Sequence, residues 1–112
     1  MTAGFGALFE RVTVLHNSAD WQASAAEFTA VLGEPTFSDG SSWAAFAGVS
    51  LGDEAALPPW CLLARTADLD RVAARAVEIG WSVGPQLTGG HELRRVLTAP
   101  SGLVVIAYLP LR

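Results

Sequence analysis

Apolar and polar positions along this chain trace strand, helix and strand patterns in one order, and that order recurs. Residues 8–16, LFERVTVLH, are rich in β-branched and aromatic side chains, with Val12 and Val14 on one face and Thr13 and Leu15 on the other, which predicts a strand. SADWQASAAEFTAVLG follows and brings Trp21, Ala25, Phe28 and Val31/Leu32 round at helical spacing. Ser18 or Asp20 can cap its start, and Gly33 suits a left-handed stop. PTFSDGSSWAAFAGVSLGDEA then alternates short β-prone runs with breaks at Asp39-Gly40 and Gly48, the pattern of a small antiparallel meander. The paired prolines of LPPW, residues 57–60, resist helix interior and central strand alike and mark the midpoint.

The second half repeats this order. WCLLART predicts a strand; DLDRVAARAVEIG places Leu69, Val72/Ala73, Ala76 and Ile79 on one helical face, with Asp68 as N-cap and Gly80 as stop. SVGPQLTGG, HELRRVLT and LVVIAYL predict three more strands, punctuated by Gly89-Gly90 and Pro100-Ser101-Gly102. The chain therefore reads βαβββ twice. Neither half carries enough apolar surface to close a core alone, so the expected fold is α+β: one curved sheet faced by two helices.

Composition narrows the function. The chain has 112 residues, one domain's length, and a formal net charge of -4 with seven arginines and no lysine. No basic stripe exists to neutralise phosphates or anionic lipid, which argues against nucleic-acid and membrane partners. The single cysteine, Cys61, cannot form an internal disulfide, and MTAGFGALFE lacks a basic leader before an apolar run, so the expected address is cytoplasmic. A hydrophobic content of 51% is slightly above the ordinary globular share and points to a subunit interface, hence an expected homodimer.

The duplicated βαβββ order, the SAAEFTAVLG that closes the first helix and the Pro-Ser-Gly turn before the last strand together resemble the vicinal oxygen chelate superfamily. That group includes glyoxalase I, extradiol dioxygenases and the bleomycin and fosfomycin resistance proteins. The likeness covers roughly residues 8 to 110, and its order of elements is more specific than any single motif. It implies two modules, about 8–57 and 59–110, forming a curved mixed-sheet cup with two helices on its outer face. Metal-using members place a His or Gln in the first strand of a module and a Glu near the end of its last strand. By the resemblance those places fall here on Thr13 and Cys61, and on Leu51 and Ile106, none a normal ligand of a hard ion. The family's Asp-Pro-Asp-Gly turn is reduced to Ala99-Pro100-Ser101-Gly102. A bulge in the first strand would turn His16 inward and bring Asp53 or Glu54 to the carboxylate place, still leaving nothing at Ile106. The resemblance thus implies a binding protein with no metal and no cofactor.

Other patterns compete with blander readings. GVSLG at 48–52 matches the nucleophile-elbow spacing, but the proline-bound DEAALPP after it cannot build the required helix, so Ser50 reads as a strand residue. Cys61 sits among apolar neighbours and reads as a small core hydrophobe, or as part of a pocket floor. His16 and His91 are the available acid/base candidates near neutrality; His91, beside Gly89-Gly90, is placed to touch a ligand at the cup's mouth. Arg94 and Arg95 are adjacent in a strand, so one faces inward and can anchor a carboxylate or phosphate; sequence parity does not say which. Trp21 reads as core, whereas Trp43, Trp60 and Tyr108 are candidates to wall a cavity.

The expected function is therefore sequestration or carriage of a small apolar or aromatic molecule by Thr13, Trp43, Leu51, Trp60, Cys61, His91, Arg94, Arg95, Ile106 and Tyr108. Two alternatives remain open. One is a metal-dependent lyase, isomerase or dioxygenase using His16, His91 and one of Asp53, Glu54 or Glu92. The other is a structural dimer whose cup is filled by its own side chains.

Overall fold

The computed structural model describes residues 4–111. It is α+β, with both parallel and antiparallel strand pairs. The described residues divide into two compact units, 13–61 and 4–12 with 62–111. Among them no helix is long and apolar enough to cross a membrane.

The first unit carries β1 (Phe9–Asn17, which begins in the other unit's sequence), α1 (Trp21–Leu32), β2 (Phe37–Ser38), β3 (Trp43–Ala45) and β4 (Val49–Gly52). Strand order is β2-β3-β4-β1, with β4 parallel to β1 and the meander pairs antiparallel. Asp20 caps α1 by accepting from the Ala23 amide at 3.3 Å, and Gly33 ends it at a φ of 85°. Trp21, Ala44, Phe46 and Leu51 form the core between α1 and the strands, with Ala25, Phe28 and Val49 packed against them. Val31, expected on this helical face, is instead 82% exposed, and Leu32 is also exposed. The packed part of the apolar stripe ends at Phe28.

The second unit carries β5 (Trp60–Thr66), α2 (Leu69–Glu78), β6 (Ser82–Val83), β7 (Leu87–Thr88), β8 (Glu92–Thr98) and β9 (Val104–Pro110). Here β5 is parallel to β9, β8 is antiparallel to β9, and β6 and β7 both lie antiparallel on β8. The run SVGPQLTGG, read above as one strand, is two short ones. Pro85 has no amide hydrogen for the ladder, so pairing lapses between Gly84 and Leu87. With β6 and β7 counted as one broken strand, both units show the same βαβββ order and the same neighbours.

Asp68 caps α2 by accepting from the Arg71 amide at 3.1 Å. Leu69, Val72 and Ala76 on α2 pack against Ala64, Leu97, Val105 and Ala107 on the strands. Burial of this set is what holds α2 to its sheet, so Leu97→Ala is expected to cost about 2–5 kcal/mol in chemical denaturation. Val31→Ala, on the stretch of α1 that packs against nothing, is expected to stay within about 0.5 kcal/mol of the parent.

Candidate functional site

In each unit one face of the strands is covered by that unit's helix and the far face is not covered by it. Side chains alternate along a strand, and in-register neighbours on adjacent strands share a face. In the first unit Leu51 and Ala44 lie under α1, so their register partner His16 is on that side too. The far face then carries Thr13, Leu15 and Asn17 of β1, Ser50 and Gly52 of β4, and Trp43 and Ala45 of β3. In the second unit Ala64, Ala107 and Leu97 lie under α2. Its far face carries Cys61, Leu63 and Arg65 of β5, Val104, Ile106 and Tyr108 of β9, and Arg94, Val96 and Thr98 of β8. By strand parity Cys61 belongs with this set, although it is grouped with the first unit.

This register settles which arginine points where. Arg94 pairs with Tyr108 on the far face, and Tyr108 pairs in turn with Arg65, so two guanidinium-bearing residues flank one phenol. Arg65 forms an ion pair with Glu10 at 3.2 Å. Arg95 pairs with Ala107 on the helix side, where its Nη1 donates to the Gly84 carbonyl at 3.0 Å. Val96 and Ile106 sit one step along from Arg94 and Tyr108 as apolar neighbours.

The sequence-derived candidates separate accordingly. Thr13, Trp43, Cys61, Arg94, Ile106 and Tyr108 occupy far faces, Ile106 with only 1% of its surface exposed. Leu51, 0% exposed, is core beneath α1, and Arg95 is held on the helix side. The counting that put Leu51 at a carboxylate place is out by one residue: Ser50 and Gly52 are the far-face positions of β4. Trp60, 60% exposed, stacks on His16 with ring centroids 4.0 Å apart, and His16 Nδ1 donates to the Pro59 carbonyl at 2.7 Å. Both therefore lie on the helix side, where Phe28 also stacks with His16, ring centroids 5.8 Å apart. His91 is exposed just ahead of β8, and its carbonyl accepts from the Leu111 amide. Ser50 is buried in β4, a strand entered through Gly48 at a φ of 79°.

Asn17 escaped the sequence reading because an Asn at a strand end passes for a turn residue. Its phase with Thr13 and Leu15 was the signal that placed it on the far face. The segment leading to Trp43 is likewise more ordered than SDGSS suggests. Asp39 Oδ1 accepts from the amides of Ser41, Ser42 and Trp43 at 2.8–2.9 Å, and Oδ2 accepts from the Ser42 hydroxyl at 2.6 Å. The Ser42 hydroxyl first, and then these amides, hold the Asp39 carboxyl well below the usual carboxylate range.

A divalent ion needs several convergent oxygen, nitrogen or thiolate donors. Among the described residues no three His, Cys, Asp or Glu side chains gather in that way. The far-face donors Thr13, Asn17 and Ser50 are neutral, and burial, then the charge of Glu54, pushes the Cys61 thiol up from its ordinary value. These residues do not fit a hard divalent ion.

Solved structures match this arrangement. A protein from Vibrio splendidus 12B01, described as a glyoxalase/bleomycin resistance protein/dioxygenase superfamily member, aligns over 88% of this chain and 97% of its own with a TM-score of 0.61 at 16% identity. The chain has the glyoxalase/bleomycin-resistance/dioxygenase fold. Within that fold the Mn(II)-bound glyoxalase of Novosphingobium aromaticivorans aligns over 100% of this chain but 42% of its own, with a TM-score of 0.65 at 17% identity. A Legionella pneumophila structure described as an NAD-dependent benzaldehyde dehydrogenase aligns over 89% of this chain and 99% of its own, with a TM-score of 0.75 at 15% identity. At such identities the likeness is one of fold. No protein-family model and no curated protein sequence matches the chain.

Two outcomes check these electrostatics. A carboxyl with a depressed folded value stabilises its loop above the unfolded value of about 3.9 and loses that contribution only as pH falls through the folded one. Amide exchange at Ser41, Ser42 and Trp43, compared with loop amides that Asp39 does not bind, should therefore stay protected from pH 7 down through 4. Asp39→Ala should abolish that protection at every pH. Because its thiolate is disfavoured and its side chain buried, Cys61 should react with a thiol reagent at pH 8 at least about tenfold more slowly in native than in urea-unfolded protein.

Proposed function

We propose that the chain is a small-molecule-binding protein of the glyoxalase/bleomycin-resistance type that sequesters or carries an apolar or aromatic compound, and does so without a metal. The observation that carries this reading is the in-register pair Arg94–Tyr108 on a sheet face that α2 does not cover, beside apolar Val96 and Ile106. A phenol ring offers contact area and stacking, and a guanidinium offers a planar fork for a carboxylate. The guest favoured by this set is an aromatic molecule bearing an anionic group.

The choice of arginine makes the proposal sharp. Arg94 and Arg95 are adjacent and chemically identical, yet one lies on the far face and the other on the helix side. Isothermal calorimetry with 1-naphthoate and its neutral analogue 1-naphthalenemethanol distinguishes their roles. Arg94→Met is expected to weaken 1-naphthoate by about 10- to 100-fold, the size of a charge-assisted hydrogen bond, and to change the neutral analogue little. Arg95→Met should leave the ratio of the two affinities as in the parent. Failure of the parent protein to bind either compound would defeat the reading.

A further inference from the structure

The fold leaves one buried polar atom in the first unit without a partner. Asn17 is 8% exposed, and its Nδ2 donates to the Pro58 carbonyl at 3.0 Å and lies 4.0 Å from Cys61 Sγ. Those contacts fix the amide's orientation, so Oδ1 is the end turned toward Gly52. No hydrogen bond reaches Oδ1. A Cβ built on Gly52 would stand 2.8 Å from Asn17 Oδ1 and 3.3 Å from Trp43 Cζ3. Gly52 does not have a positive φ, so close approach, and not backbone conformation, is what calls for glycine there. The three residues are one cross-strand row: Asn17 pairs with Gly52, and Gly52 with Trp43.

An unpaired buried acceptor is rare and destabilising, because the carbonyl has lost its water and gained nothing in return. A water held over Gly52 would have Asn17 Oδ1 as its polar partner and Trp43 ring carbons on the other side, whereas an ordered buried water ordinarily makes about three hydrogen bonds. A guest that brings both a ring and a donor fits these surroundings better.

We infer that Asn17 Oδ1 is the recognition acceptor for an N–H or O–H group on the guest, admitted over Gly52 as the Trp43 ring gives way, so that the favoured guests are planar aromatics with a donor on the ring edge. This rests on the small-molecule-binding reading above and adds a specificity to it. Trp43, whose ring carbons border the space over Gly52, turns to lie against the guest's ring. The fixed Asp39 loop confines that motion to the side chain, since the Trp43 amide stays bonded to Asp39.

Calorimetric titration with indole and 1-methylindole tests this, since the two rings differ in the N–H donor and neither is charged. The parent protein is expected to bind indole about tenfold more tightly. Asn17→Leu should bring the ratio close to one while retaining 1-methylindole; Asn17→Ala serves the same purpose if the leucine variant does not fold. Equal affinities in the parent, or a preference that survives both substitutions, would overturn the role of Asn17 and leave the binding reading intact. Absence of binding by both rings in a protein that binds 1-naphthoate would overturn this inference alone; absence of binding by all three compounds would overturn the binding reading with it.

Discussion

Everything described for this chain depends on the closure of one sheet face in each module by a helix. Ala44, Leu51 and Phe46 are buried with Trp21, and Ala64, Leu97, Val105 and Ala107 are buried with Leu69, Val72 and Ala76. Because side chains alternate with a period of two, a slip of one residue in any strand would send this apolar set to the wrong face. Burial of the helix-side residues therefore fixes the far face as well. It assigns Arg94 outward from α2 and Arg95 toward it, and Gly52 rather than Leu51 to the row that holds Asn17 and Trp43.

The far faces contain a chemistry suited to contact and orientation. In one unit Arg94 lies in register beside the Tyr108 phenol, and in the other Asn17 and Trp43 flank Gly52. His16 lies on the helix side, its Nδ1 donating to the Pro59 carbonyl and its ring stacked on Trp60, while burial, then the charge of Glu54, pushes the far-face Cys61 thiol up. Order in the SDGSS loop comes from a single carboxylate that gathers three amides and a hydroxyl, which sets the start of β3 and with it the backbone of Trp43.

The repeat of βαβββ, both helices, the Asp68 cap and the fold likeness were legible in the sequence, and Asp20 was one of two capping candidates, because periodicity, caps and stop glycines are local signals. Face assignment was less so. Leu51 was placed by counting along a strand whose start at Val49 was uncertain by a residue, and one residue is enough to reverse a face. Trp60 and His16 form a pair 44 positions apart that the neighbouring strands β1 and β5 bring together. Val31 matched the helical stripe but is exposed. Asn17 became conspicuous through its long-range neighbours Gly52, Trp43 and Pro58, which no local pattern reports.

The most direct measurement of the central claim follows the arginine side chains by NMR in protein carrying 15N-labelled arginine, titrated with 1-naphthoate. The account predicts that the Arg94 Nε–Hε resonance shifts in step with binding while that of Arg95 stays in place. A shift at Arg95 with Arg94 unmoved would contradict it.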